Sequence, residues 1–278
     1  MPCRFAVTAL LASAMLLGGC RSLTTPALAA GEDQRLAGLR PVDLLLFGEQ
    51  HDAPEHASLQ HRLVDKLAAR GALAGLVLEM AEQGRSTAGL PPAADEDQVR
   101  AALAWQDAAW PWARYGPVVM AAVRAGVPVL GANLPRAQMG AAAQDAALEA
   151  RLDAAGLTRL QALIRDGHCG LLPEPRIAPM LRVQIARDQA MADTLTRARS
   201  SGRSVLLIAG SVHVRRDLGV PRHLPSTASL QIVLARSGGA ELAPAEIGLA
   251  DGDLLWPTPA LPPGDPCAGL RERLPPRP

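Results

Sequence analysis

Short, mostly apolar runs alternate with longer stretches whose apolar positions recur every three or four residues. Asp43 to Phe47, Leu73 to Met80, Val127 to Asn133, Ser204 to Ala209, Leu230 to Ala235 and Leu254 to Trp256 read as strands. The runs are mostly apolar and do not alternate regularly, which predicts burial on both faces, as in a parallel sheet. Between them, Pro54 to Arg70 carries Leu59, Leu63 and Leu67 four apart, with Val64 beside them, and Gly71 follows as a cap. Asp97 to Trp105 and Val118 to Ala125 read as short helices. Ala137 to Asp166 reads as largely helical, with an interruption near Gly156, and Pro179 to Arg199 as a long amphipathic helix bearing Met180, Val183, Ile185, Met191 and Leu195. Strands alternating with helices predict an α/β fold: a single domain with a mostly parallel central sheet flanked by helices.

The chemistry gathers where strands end. Leu44 to Phe47 runs into Gly48-Glu49-Gln50-His51-Asp52, and Val205 to Ala209 runs into Gly210-Ser211-Val212-His213. Each is a strand, a glycine, and a histidine three residues on. Gly48 is expected to let the backbone turn sharply at the strand end. Carboxyl ends of parallel strands are where α/β sheets bind ligands. The second strand ends near Glu79, the third at Asn133 and Arg136, and the fourth leads to His213 and Arg215. His168 sits in the glycine-punctuated turn Asp166-Gly167-His168-Cys169-Gly170. Two histidines with two carboxylates suit either a divalent metal, with His51, Glu79 and His213 as ligands, or metal-free acid–base work. Standing at strand ends and outside the core, His51 and His213 should each tolerate replacement by alanine without loss of the fold. His56 and His61, five apart and about 140° off a common helix face, are expected at the surface. No Gly-x-Ser-x-Gly elbow, phosphate loop or dinucleotide fingerprint is present.

Aromatic residues are scarce, and three of the four tryptophans and the sole tyrosine fall between Trp105 and Tyr115. Such a cluster is either a satellite core or the wall of a pocket for a flat apolar ligand. The formal net charge is +1. With no basic tract, nothing points to a nucleic-acid partner.

The first residues bring targeting. Met1 to Arg4 with one positive charge, the apolar stretch Phe5 to Leu17, and Leu17-Gly18-Gly19-Cys20 form a signal-peptide layout, too short for a comfortable membrane span. Its end resembles a bacterial lipobox. That divides the chain into a signal peptide (1–19), a tether lipidated at Cys20 (20–35) and a folded domain (36–278). Arg21 in place of an aspartate favours, by resemblance to enterobacterial sorting, the outer membrane, with the domain facing the periplasm. Cys169 and Cys267 are then the cysteines left in an exported chain. They read as one disulfide, the alternatives being a metal-thiolate pair or two free thiols.

Phe47-Gly48-Glu49-Gln50-His51-Asp52, Leu78-Glu79-Met80, Tyr115-Gly116-Pro117, Gly131 to Arg136, His168-Cys169-Gly170 and Gly210 to Arg215 together resemble the ChaN family of haem-binding lipoproteins, over about residues 40–235. Asp265-Pro266-Cys267 is also family-like. The wider superfamily includes the Tiki metalloproteases, TraB proteins and erythromycin esterases, so fold alone does not decide activity. The resemblance implies haem as ligand and an outer-membrane iron or haem uptake system and a second copy of the chain as partners. Its binding residues would be Tyr115, His168, His213, Arg215 and Arg136, with Tyr115 the one source of a tyrosinate ligand. The alternative is a metal-dependent hydrolase, protease or esterase, using Glu49, His51, Glu79 and His213.

Overall fold

A computed structural model describes residues 31, 34–238 and 247–273. The signal peptide, Cys20 and most of the tether lie outside the described residues. Among those described, no helix is long and apolar enough to cross a membrane.

From Gly38 onward the described residues form one compact unit. Its strands are β1 (Leu44–Glu49), β2 (Leu73–Glu82), β3 (Val129–Asn133), β4 (Ser204–Gly210), β5 (Leu230–Ser237) and β6 (Leu254–Thr258). They make one six-stranded, all-parallel sheet in the order β3-β2-β4-β1-β5-β6. The α/β reading of the sequence therefore holds. Every residue of β1 and β4 is buried, as their unbroken apolar runs require. Leu44, Leu46, Val205 and Leu207 join Met191 and Leu195 in one core cluster. Leu45, Phe47, Leu206 and Ile208, alternating with them, are buried as well. Helices thus cover both faces of the sheet.

The helices are α1 (Pro54–Ala69), α2 (Glu96–Leu103), α3 (Trp112–Arg124), α4 (Met139–Gln144), α5 (Ala154–Gly167), α6 (Ile177–Ala198) and α7 (Ala268–Arg273). Asp95 caps α2 with a reciprocal pair, its side chain accepting from the Gln98 N–H while the Gln98 side chain accepts from the Asp95 N–H. Helix α3 starts six residues before the expected Val118 and takes in Pro117 as its sixth residue. Pro117 forgoes the bond an N–H there would make to the Ala113 carbonyl, and the burial of Trp112, Tyr115, Val118 and Val119 holds the helix across it. The helix therefore carries Trp112 and Tyr115 on its first turns.

Gly48 does not turn the chain. It is a rung of β1, opposite Ala209 and Leu234. Glycine is needed there for packing, since a Cβ would stand 2.4 Å from Val214 Cγ2 and 2.8 Å from Leu234 Cδ1. The strand ends one residue later, at Glu49. In β2 the register against β3 shifts between Leu78 and Glu82, and Glu79, next after the Leu78–Ile208 pair, reaches the N–H of Gly210 at the end of β4. Because β4 lies between β2 and β1, their ends are brought side by side at a crossover of the strand order, the place where α/β sheets open a crevice.

Candidate functional site

The described residues of β1, β2, β4, α1, α3 and α6 meet in a chain of polar side chains below that crevice. Glu49 is 2% exposed. Its Oε1 accepts hydrogen bonds from Tyr115 Oη at 2.6 Å and from His51 Nδ1 at 2.7 Å, and its Oε2 accepts from Gln60 Nε2. His51 stands edge-on to Trp110, with centroids 4.9 Å apart. Its Nε2 lies 3.9 Å from Glu79 Oε2. Glu79 Oε2 accepts the Gly210 N–H at 2.8 Å, and its Oε1 is 3.5 Å from His213 Nε2. His213 Nδ1 is 2.7 Å from Asp188 Oδ1. Gly210 leaves the space the network uses, because a Cβ would sit 2.9 Å from His51 Nε2.

Protonation follows from this geometry. Burial disfavours a charged His213, but Glu79 and Asp188 on either side outweigh it and raise its pKa to about 10. Burial likewise raises Asp188, to about 6, and Glu79 adds to the rise, while His213 draws it down. Burial would raise Glu79 too, yet His213, His51 and the Gly210 N–H hold its carboxyl well below the usual carboxylate range. His51 is raised: burial opposes its charge, and the Glu49 hydrogen bond with the charges of Glu79 and Glu49 overcomes it. Tyr115 is pushed far above the ordinary phenol range, first by burial and then by the negative Glu49.

Above this network lies a cleft of about 850 Å³. Its floor holds Glu49, His51, Glu79 and His213. Met80, Trp110, Leu134, Met139, Leu160 and Ile164 supply apolar wall, and Arg136, His168 and Arg187 supply polar groups. Arg187 Nε and Asn133 Oδ1 are buried there without a hydrogen-bond partner. Most buried polar atoms are satisfied, so two orphans in one cleft point to a ligand that would pair with them.

The sequence expectations fare unevenly. Glu49, His51, Glu79 and His213 do converge, and Arg136 and His168 share their cleft. Tyr115 does not line it: it has no solvent exposure, and its hydroxyl is donated to Glu49. A tyrosinate there would face that carboxylate at hydrogen-bond distance with no proton between them, so the expected phenolate ligand is corrected. Arg215 is also elsewhere, gripping Asp217 through Nε and Nη2. Of the expected metal set, His51, Glu79 and His213 come together, and among the described residues no three His, Cys, Asp or Glu side chains stand in position to hold a metal ion. Glu49 and Asp188 face the Nδ1 atoms of His51 and His213, and Glu79 lies 3.9 and 3.5 Å from their Nε2 atoms. His213, at 8% exposure, is a core residue and not a bystander at a strand end. His56, expected at the surface, is fully buried: its Nδ1 accepts the Gln50 N–H, and Nε2 meets Thr258 Oγ1 at 3.0 Å. The helix-face argument missed it because β6 covers the first turn of α1.

The tryptophans divide between the two readings. Trp105 and Trp112 form a buried edge-to-face pair, and Trp110 lines the cleft. Cys169 and Cys267 form a disulfide, with Cα atoms 6.0 Å apart, next to His168. Asp188, Gln60 and Arg187 were not foreseen. For Asp188 a signal existed: it lies three residues after Ile185 and seven after Leu181, on the buried stripe of α6.

A family model described as haem-binding uptake, Tiki superfamily, ChaN matches residues 36–224. A solved structure of cofacial haem binding to ChaN of Campylobacter jejuni superposes with a TM-score of 0.64 at 24% identity, covering 75% of this chain and 87% of that one. The type III effector HopBA1 gives a TM-score of 0.48 at 13% identity, covering 84% of this chain and 92% of the other. No curated protein sequence matches. The family match spans more than half of the chain, and the architecture agrees with it: this protein belongs to the ChaN family of haem-binding uptake proteins in the Tiki superfamily.

Proposed function

We propose that the cleft carries haem as cargo, and that the protein is a lipid-anchored component of iron uptake at the bacterial outer membrane, on its periplasmic side. The observation that carries the haem reading is the cleft itself. At about 850 Å³ it falls within the range of small-molecule sites, roughly 300–1,000 Å³. Its wall is apolar and partly aromatic, which suits a porphyrin face. Two guanidiniums, Arg136 and Arg187, stand in it, and the orphaned Nε of Arg187 is a donor that a propionate would satisfy. Outer-membrane anchoring rests on the Leu17-Gly18-Gly19-Cys20 sequence and Arg21. The uptake role rests on the family description. A complex with an uptake receptor and pairing of two copies belong to the same proposal, with the family as their support.

The test is optical titration of the purified mature protein with hemin in detergent, against protein-free micelles. A saturable change in the Soret band is expected, and Arg187→Ala should weaken binding about tenfold, the loss of a charge-assisted contact worth roughly 1.5 kcal/mol. Spectra that match the micelle blank at every hemin concentration would refute the reading.

A further inference from the structure

Tyr115 and His213 do not offer the cleft a free ligand atom. Tyr115 Oη is buried against Glu49. His213 has a carboxylate at each ring nitrogen, Asp188 at 2.7 Å and Glu79 at 3.5 Å. His51 holds Glu49 through Nδ1, and its Nε2, without a hydrogen bond, stands on the cleft floor 3.9 Å from the Glu79 carboxylate and against Gly210. His168, on the cleft wall, pairs with no carboxylate among the described residues.

His168 caps the C-terminus of α5. Its Nδ1 lies 2.7 Å from the carbonyl oxygen of Ile164. A carbonyl can only accept, so the proton of a neutral ring is on Nδ1 and the lone pair is on Nε2. Nε2 has no hydrogen-bond partner among the described residues, and the half-buried ring lines the cleft. His168, at the C-cap, continues the stripe of Leu160 and Ile164, eight and four residues before it on α5, and both also line the cleft. Histidines that bind metals characteristically donate their other N–H to a carbonyl or carboxylate, which sets the tautomer and the ring orientation. The backbone is held as well. The His168 N–H bonds the carbonyls of Ile164 and Arg165, the Gly170 N–H returns to Arg165, and Cys169 between them is tied to Cys267. Little freedom remains to be lost when the ring takes up a ligand.

We propose that His168, through Nε2, is the axial ligand to the iron of haem bound in the cleft. This rests on the haem reading above. The imidazole lone pair enters the coordination sphere of the ferric iron and a weakly held water leaves, with no change of oxidation state. The chain would then use a neutral nitrogen ligand, while its sole tyrosine serves the buried network.

The experiment compares full-length mature protein with His168→Gly and Tyr115→Phe by hemin titration, and by electron paramagnetic resonance of the ferrous nitrosyl complex. In that complex a trans nitrogen ligand splits each line of the nitric oxide triplet. The wild type and Tyr115→Phe should show this splitting. His168→Gly should lose it and bind hemin on the order of 10–100-fold more weakly. Added imidazole should restore the splitting in His168→Gly at concentrations too low to ligate hemin in protein-free micelles, which a merely misfolded variant would not allow. If the wild type binds hemin and His168→Gly keeps its spectrum and affinity, the ligand assignment is overturned while haem binding stands. If imidazole restores nothing in a variant whose circular dichroism is native, the assignment also fails. If the wild type takes up no hemin, the underlying function is wrong.

Discussion

Replacing His213 by alanine tests the buried network directly. His213 is the cation between Glu79 and Asp188, and the side chains of both carboxylates are 4% exposed. Removing it leaves two negative groups in the interior without their partner. Breaking a buried ion pair from one side costs about 3–5 kcal/mol. The loss should depend on pH with a definite sign. In the wild type the His213 pKa is raised from about 6.5 to about 10. Its contribution is therefore complete below the unfolded value and lost as pH rises through the folded one. In the variant, the carboxylates can be relieved only by binding protons, and Asp188 already does so near pH 6. The destabilisation should thus be blunted at pH 5, where the variant's carboxylates take up protons, larger between pH 7 and 8, and progressively smaller toward and above pH 10, where the wild type gives up the His213 proton. Urea unfolding followed by circular dichroism at these pH values measures it, provided the slopes agree. Adding Asp188→Asn to His213→Ala should restore part of the stability at pH 8, since one uncompensated charge is gone. A loss below about 1 kcal/mol at pH 8, or one that is equal at pH 5 and pH 8, would refute the account of a charged, mutually dependent triad.

The disulfide closes a separation of 98 residues, so oxidised mature protein should show no free thiol when denatured without reductant, and reduction should lower stability by about 2–4 kcal/mol. Two titratable thiols would contradict it. Cys20→Ser should leave the protein unlipidated, as accumulated precursor or in the soluble fraction, and normal processing with unchanged membrane fractionation would count against the anchor.

The strands were legible because their information is local. A run such as Leu44 to Phe47 can be buried on both faces only inside a parallel sheet, and the alternation of such runs with helical stripes leaves few topologies. The same locality put Glu49, His51, Glu79 and His213 at one edge of the sheet, since parallel strands all end on the same side. What each side chain is free to do was not legible, because that depends on neighbours from remote segments. The sequence alone makes Tyr115 a ligand candidate; Glu49, 66 residues away, claims its proton. His213 reads as a strand-end group until Asp188, 25 residues earlier, closes on its other nitrogen. His56 reads as exposed until Thr258 arrives from 202 residues along the chain. The residue types and the edge on which they gather are thus properties of the sequence. Which nitrogen keeps a lone pair, which phenol keeps its proton and which histidine faces an open cleft were decided by tertiary packing, because burial and pairing across distant segments set the charge and the availability of every polar group.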